Sequence, residues 1–176
     1  AELGLCSAAV TQAVYPRNSN LVSTMLPPML PASTCLTLVS KCASRAALPW
    51  LRQSAAACIL NVSSINGLLP TPRTVAYSTA KAALNYYTTA LASELAAEKI
   101  RVNAIAPGSI EFPGGLWERR REQDPALYAR IRERIPFGGF GQVDAVADAA
   151  VFLCSPAARW ITAQILAVDG GQSLPG

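Results

Sequence analysis

The sequence predicts an α/β fold, the C-terminal part of a doubly wound parallel sheet, and three observations carry that prediction. Apolar runs at residues 58–62, 101–106 and 165–168 each stop at turn residues, and the first has the profile of a buried parallel strand. The segments between them repeat apolar residues at spacings of three and four, the helical period. Strands alternating with helices build a parallel sheet through crossover connections.

The chain divides near residue 45. Residues 1–45 are rich in Ser, Thr, Pro and Cys, with no glycine between Gly4 and Gly67 and no acid between Glu2 and Glu94. Natural domains seldom run so far without turn glycines or surface acids. The expectation is therefore that this segment is not native to the domain and arises from a shifted frame or misplaced gene boundary. The chain starts at Ala1 rather than methionine, as expected of a processed, recloned or fragmentary product. Residues 46–176 form the second, ordered region. Residues 46–53 read as the end of a helix, and 58–62 as a strand running into Ser63-Ser64. A loop with Gly67, Pro70 and Pro72 follows. Ala80, Leu84, Tyr87, Leu91 and Leu95 then make one apolar stripe on a long helix over 77–98. The strand at 101–106 is stopped by Pro107-Gly108, and 116–134 read as one charged helix. Gly138, Gly139 and Gly141 mark a loop, 143–153 a helix, and 165–168 a last strand ended by Asp169-Gly170-Gly171.

Composition excludes several functions. A chain of 176 residues with 51% apolar content can fill one core. The net charge of +4 is concentrated around Arg119, Arg120 and Arg121, which suits a solvated helix face rather than a nucleic-acid surface. There is no histidine, and the five cysteines show no C-x-x-C spacing, so neither a Cys/His metal centre nor a Ser-His-Asp triad is expected. The most apolar early stretch, residues 21–40, is interrupted by Pro27, Pro28 and Pro31, so neither a signal peptide nor a membrane span is expected. The expected setting is the cytoplasm, with the cysteines as thiols.

Chemistry concentrates at Ser64, Tyr77 and Lys81. Tyr77 and Lys81 are four residues apart on the long helix, hence on one face. An ammonium beside a phenol favours the phenolate. Such a tyrosine can exchange a proton with a carbinol or carbonyl oxygen near neutral pH. Ser64 follows a strand, where open parallel sheets bind ligands. Its hydroxyl can bond the same oxygen.

These residues and their neighbours resemble the short-chain dehydrogenase/reductase family. Asn61-Val62-Ser63-Ser64 is similar to that family's strand ending in a catalytic serine, thirteen residues before Tyr77. Tyr77-Ser78-Thr79-Ala80-Lys81 is similar to its YxxxK motif. Residues 101–108 (RVNAIAPG) resemble its next strand and Pro-Gly turn, and 168–171 (VDGG) its final strand. The resemblance implies a Rossmann-like domain, an NAD or NADP cofactor and a small alcohol or carbonyl substrate. It also implies a homodimer or tetramer joined through the long helix and the one before Ser64. Tyr77 would be the acid/base and Lys81 would hold the nicotinamide ribose. Ser64 would orient substrate, and Pro107, Gly108 and Ile110 would line the nicotinamide. Residues 111–136 would form a variable substrate lid, with Phe112 standing where the family often has a threonine.

The sequence departs from the family upstream. The glycine-rich turn that cradles a pyrophosphate, the acid that holds an adenosine ribose and the Asn-Ala-Gly motif are not found before Gly67. Residues 32–37, where the family's helix asparagine is expected, hold none. These departures suggest an alternative: a truncated, catalytically silent remnant that at most self-associates through its long helix. A Ser/Lys hydrolase reading of Ser78-x-x-Lys81 lacks its companion motifs. Trp117 and Phe112 can touch substrate or simply pack the lid, and Asp144 and Asp148 read as solvated helix charges.

Overall fold

The computed structural model describes residues 8–11 and 32–174 of the chain. Four strands form one sheet in the order β1 (Ala8–Thr11), β2 (Cys58–Val62), β3 (Arg101–Pro107) and β4 (Ile165–Val168). Every pairing is parallel, with Ala8 opposite Cys58, Cys58 opposite Arg101, and Ala104 opposite Ile165. Each connection must therefore cross from one end of the sheet to the other, and helices do most of the crossing. They are α1 (Ala32–Leu51), α2 (Val75–Leu95), the pair α3 (Leu116–Gln123) and α4 (Pro125–Glu133), and α5 (Val143–Cys154).

Successive residues of a strand point to opposite faces, and the core divides accordingly. Ile59 packs with Leu48 and Leu51 of α1, Leu91 and Leu95 of α2, and Val102 of β3. Its neighbour Leu60 packs with Ile105 and with Leu153 of α5 on the other side. Helices α1 and α2 thus cover one face and α5 the other, as a doubly wound sheet requires. Two asparagines in the central strands are fully buried and bonded. Asn61 donates to the Thr88 hydroxyl at 2.9 Å. Asn103 donates to the Ile161 carbonyl at 3.0 Å and accepts from the Gln164 amide at 3.0 Å. The latter pair ties the segment before β4 to β3.

The expected strands at 58–62 and 165–168 form with those bounds, and the long helix at 77–98 appears as α2 followed by a 3₁₀ turn over Ala96–Glu98. One expectation is corrected. The charged segment 116–134 is two helices, because Asp124 accepts the Leu127 amide at 3.0 Å as a cap while Pro125 occupies the first helical position. Proline has no amide to continue the preceding helix. Strand β1 falls in the stretch where no periodicity was legible. Among the described residues, no helix is long and apolar enough to cross a membrane.

Leu91 is 2% exposed at the centre of the α2 interface with the sheet. Leu91→Ala is therefore predicted to cost about 2–5 kcal/mol of stability. Urea unfolding checks this, and a loss below about 1 kcal/mol would contradict the packing described.

Candidate active site

The site forms where β2 leaves the sheet and meets α2. Ser63 extends the ladder by one residue, its amide donating to the Ile105 carbonyl at 2.7 Å. Its buried hydroxyl donates to Asn85 Oδ1 at 2.5 Å and points toward the Lys81 carbonyl at 3.3 Å. Asn85 Nδ2 donates onward to the Gly67 carbonyl at 3.1 Å. Strand end, turn and helix are thereby tied by one polar chain.

Ser64 is extended (φ −164°) and caps the short turn Ile65–Gly67, its Oγ accepting the Asn66 amide at 3.2 Å. That bond uses an acceptor site of the hydroxyl and leaves its proton to donate elsewhere. The turn approaches α2 very closely at Gly67. A Cβ there would lie 2.7 Å from the Lys81 carbonyl carbon and 2.9 Å from the Ala82 nitrogen, so only glycine fits.

Tyr77 stands half-buried in the first turns of α2, and Lys81 one turn later is 4% exposed. Lys81 Nζ donates to the Val62 carbonyl at 2.8 Å and lies 5.7 Å from the centroid of the Tyr77 ring. That separation is within cation–π range. Burial lowers the Lys81 pKa from its ordinary value, because the charged form is poorly solvated there. One of the three ammonium protons is engaged by Val62, and two remain for a ligand's oxygens.

The next strand supplies the adjoining wall. Past Pro107, the Gly108 amide continues the ladder to the Val168 carbonyl at 3.0 Å. A Cβ at Gly108 would meet Asp169 Cβ at 2.7 Å and Gln172 Oε1 at 2.8 Å. Gln172 fixes the following residue twice, accepting from the Ser109 amide at 2.8 Å and donating to its hydroxyl at 3.0 Å. Ile110 makes a parallel bridge with Gly141. The structure therefore brings Ser64, Tyr77 and Lys81 to the carboxyl end of β2, and Pro107, Gly108 and Ile110 to that of β3.

Two cavities flank this region. One of about 630 Å³ lies between Ile110, the loop at Phe137–Gly141 and the turn at Asp169–Gly171. The other, about 450 Å³, is bounded by Leu68, Pro72, Ser78 and Thr79. Neither is lined by Ser64, Tyr77 or Lys81. The segment expected to be a lid is pinned at two points. Glu111 accepts from the Tyr128 hydroxyl at 3.1 Å and pairs with Arg121 at 3.1 Å. Phe140 stacks on Trp117 with ring centroids 4.8 Å apart and meets the Tyr128 ring in a tilted contact at 4.6 Å. Trp117 thus packs within the lid region, while Phe112 is 46% exposed.

Asn85 lies off the apolar stripe of the long helix, yet it is 9% exposed and its amide bonds Ser63 and the Gly67 carbonyl of the turn after β2. Tyr77, Lys81 and Asn85 stand at i, i+4 and i+8, a spacing that carried the signal. Ser78 bonds the Thr71 and Thr74 hydroxyls rather than Lys81, so the Ser/Lys hydrolase pairing is not formed. Asp144 and Asp148 are exposed.

Gly67→Ala is predicted to lower stability by about 1–3 kcal/mol, because the turn must retreat from the α2 backbone. Thermal unfolding is the check. An unchanged midpoint would mean that the contact at 2.7 Å does not constrain the turn.

Comparison with known proteins gives concordant matches. A family model described as enoyl-(acyl carrier protein) reductase matches residues 34–173, so residues 34–45 fall within it. The chain is 36% identical over 132 residues to the inactive 2-(S)-hydroxypropyl-CoM dehydrogenase 2 of Xanthobacter autotrophicus, covering 74% of this chain and 57% of that protein. It is 36% identical over 124 residues to the 3-oxoacyl-[acyl-carrier-protein] reductase FabG of Thermotoga maritima, covering 70% and 48%. Among solved structures, an NADPH-bound short-chain oxidoreductase of Pseudomonas aeruginosa with an atypical catalytic centre superposes with a TM-score of 0.77. It is 31% identical, and the match covers 99% of this chain and 68% of that one. The chain spans about half the length of the curated relatives it matches.

Proposed function

The chain belongs to the short-chain dehydrogenase/reductase family of oxidoreductases, and on that premise we propose that Tyr77, Lys81 and Ser64 form a site for interconverting an alcohol and a carbonyl with NAD or NADP. The observation that carries the proposal is the buried Lys81 ammonium, held by the Val62 carbonyl beside the Tyr77 ring at the mouth of the sheet.

The residues present fit the nicotinamide end of such a cofactor. Lys81 has two uncommitted donors for ribose hydroxyls, and the backbone from Pro107 to Ile110 supplies a second wall. They do not fit its pyrophosphate end, for which no glycine-rich turn exists between Gly4 and Gly67. The cofactor, when bound, supplies the acceptor or donor for hydride. In the oxidising direction, the phenolate of Tyr77 takes the carbinol proton. In reduction, the phenol returns it to the carbonyl oxygen. Ser64 donates a hydrogen bond to that same oxygen and fixes its position. Lys81 supplies positive charge beside Tyr77 throughout. Residues 111–136 would enclose the substrate and set its identity.

A second reading rests on two observations. The sequence lacks the glycine-rich turn, and one relative of this half-length match is described as inactive. On that reading the chain is a silent remnant that self-associates. Self-association also belongs to the first reading, and the outer face of α2 suits it. Ala82, Ala83, Tyr86, Ala90 and Ser93 are exposed and uncharged. A symmetric copy would cover them. Light scattering should therefore give at least a dimer, and a monomer at high concentration would count against this interface.

Activity in this chain, or in a longer form that carries the cofactor-binding half, is predicted to fall about 10²–10⁴-fold in Tyr77→Phe with the fold intact. Lys81→Ala and Ser64→Ala should each lower the rate as well, and the losses should not add because all three groups act on one proton. Near-normal turnover in Tyr77→Phe would remove the assignment.

A further inference from the structure

At the opposite end of β2 from Ser64, three residues that the proposed chemistry does not use come together. Cys58 opens β2 and stands opposite Arg101, the first residue of β3. Cys154 closes α5. The Arg101 guanidinium reaches the Leu153 carbonyl at 2.6 Å and the Ser155 carbonyl at 3.4 Å, and so brackets Cys154 from both sides. Cys58 lies on the same face of β2 as Leu60, which α5 covers with Leu153 and Cys154, and it is close enough to Cys154 to act on its titration. Their exposures differ: Cys58 is 1% exposed, whereas Cys154 is half-buried.

We propose that Cys154 and Cys58 are a redox pair, in which Cys154 attacks an incoming disulfide and Cys58 resolves it by closing an intramolecular bond between the end of α5 and the start of β2. The co-reactant is a low-molecular-weight disulfide of the oxidised glutathione class. The Cys154 thiolate attacks one of its sulfurs, forms a mixed disulfide and expels one glutathione thiolate. Cys58 then gives up its proton, attacks the Cys154 sulfur and expels the second glutathione. The protein loses two hydrogens, and the glutathione disulfide is reduced to two thiols. The environment favours Cys154 as the attacking group. The Cys58 thiol, with Arg101 assisting against the effect of burial, lowers its pKa from 9.0 to about 7. A thiol whose pKa is near ambient pH is well suited to attack.

The test is peptide mapping of the intact chain after incubation with oxidised glutathione and an acid quench. Trypsin places Cys58 in peptide 53–73 and Cys154 in peptide 135–159, each as the sole cysteine. The expected product is these two peptides cross-linked. Cys58→Ser should instead accumulate glutathione on peptide 135–159, while Cys154→Ser should leave peptide 53–73 unmodified in the folded protein. Cys42 is exposed and reports that the reagent is active. Glutathione on Cys154 of the unaltered chain without cross-linking would overturn the proposal. So would modification of Cys42 with neither Cys58 nor Cys154 touched. If either variant fails to fold, the map of the unaltered chain decides alone.

Discussion

The docking of α2 onto the carboxyl end of β2 is the joint on which the site depends. It is made by very few atoms. Ser63 bonds Asn85, Asn85 bonds Gly67, and Lys81 bonds Val62. Gly67 lets the turn and the helix backbones touch, where any side chain would hold them apart. A buried polar group costs free energy unless its partners are present, so this chain of bonds is specific as well as cohesive. Ser64 lies within the clamped turn, while Tyr77 and Lys81 lie on the clamped helix. Their relative placement is inherited from the joint and requires no further device.

Lys81 shows the tension between stability and function at this joint. Burying an ammonium is unfavourable, and the single Val62 carbonyl only partly replaces its hydration. A leucine or methionine would pack there at lower cost. Under the proposed function, the lysine is there for Tyr77 and for a ribose rather than for the fold. The same logic separates Lys81 from Arg45 and Arg52. Those two form bidentate pairs with Glu94 and Glu98 on the exposed edge between α1 and α2, where ion pairs contribute little.

Much of this was legible because it is local. The runs at 58–62 and 165–168 are apolar, short and bounded by turn residues, and the stripe from Ala80 to Leu95 keeps helical period. Tyr77, Lys81 and Ser64 could be placed together because they sit on two adjacent elements, the turn after β2 and the start of α2. Other features needed the third dimension. Asn85 reads as an outer residue until the turn after β2 is folded back against it. The break at Asp124 was available as an Asp-Pro pair, a cap followed by a first-turn proline, but the surrounding charges masked it. Strand β1 has four residues, Ala-Ala-Val-Thr, too few to show a period, and only pairing with β2 defines it. The meeting of Cys58, Arg101 and Cys154 joins three distant segments and leaves no trace in spacing.

The central claim is the proposal that Lys81 holds the nicotinamide end of a dinucleotide, for whose pyrophosphate the sequence offers no glycine between Gly4 and Gly67. The most direct measurement compares reduced nicotinamide mononucleotide with NADH and NADPH by titration against the protein and its Lys81→Ala variant. The account predicts weak binding of similar strength for the mononucleotide and the dinucleotides, lost in Lys81→Ala. Micromolar affinity for NADH or NADPH alone, no binding of any of the three, or binding that survives Lys81→Ala would contradict it.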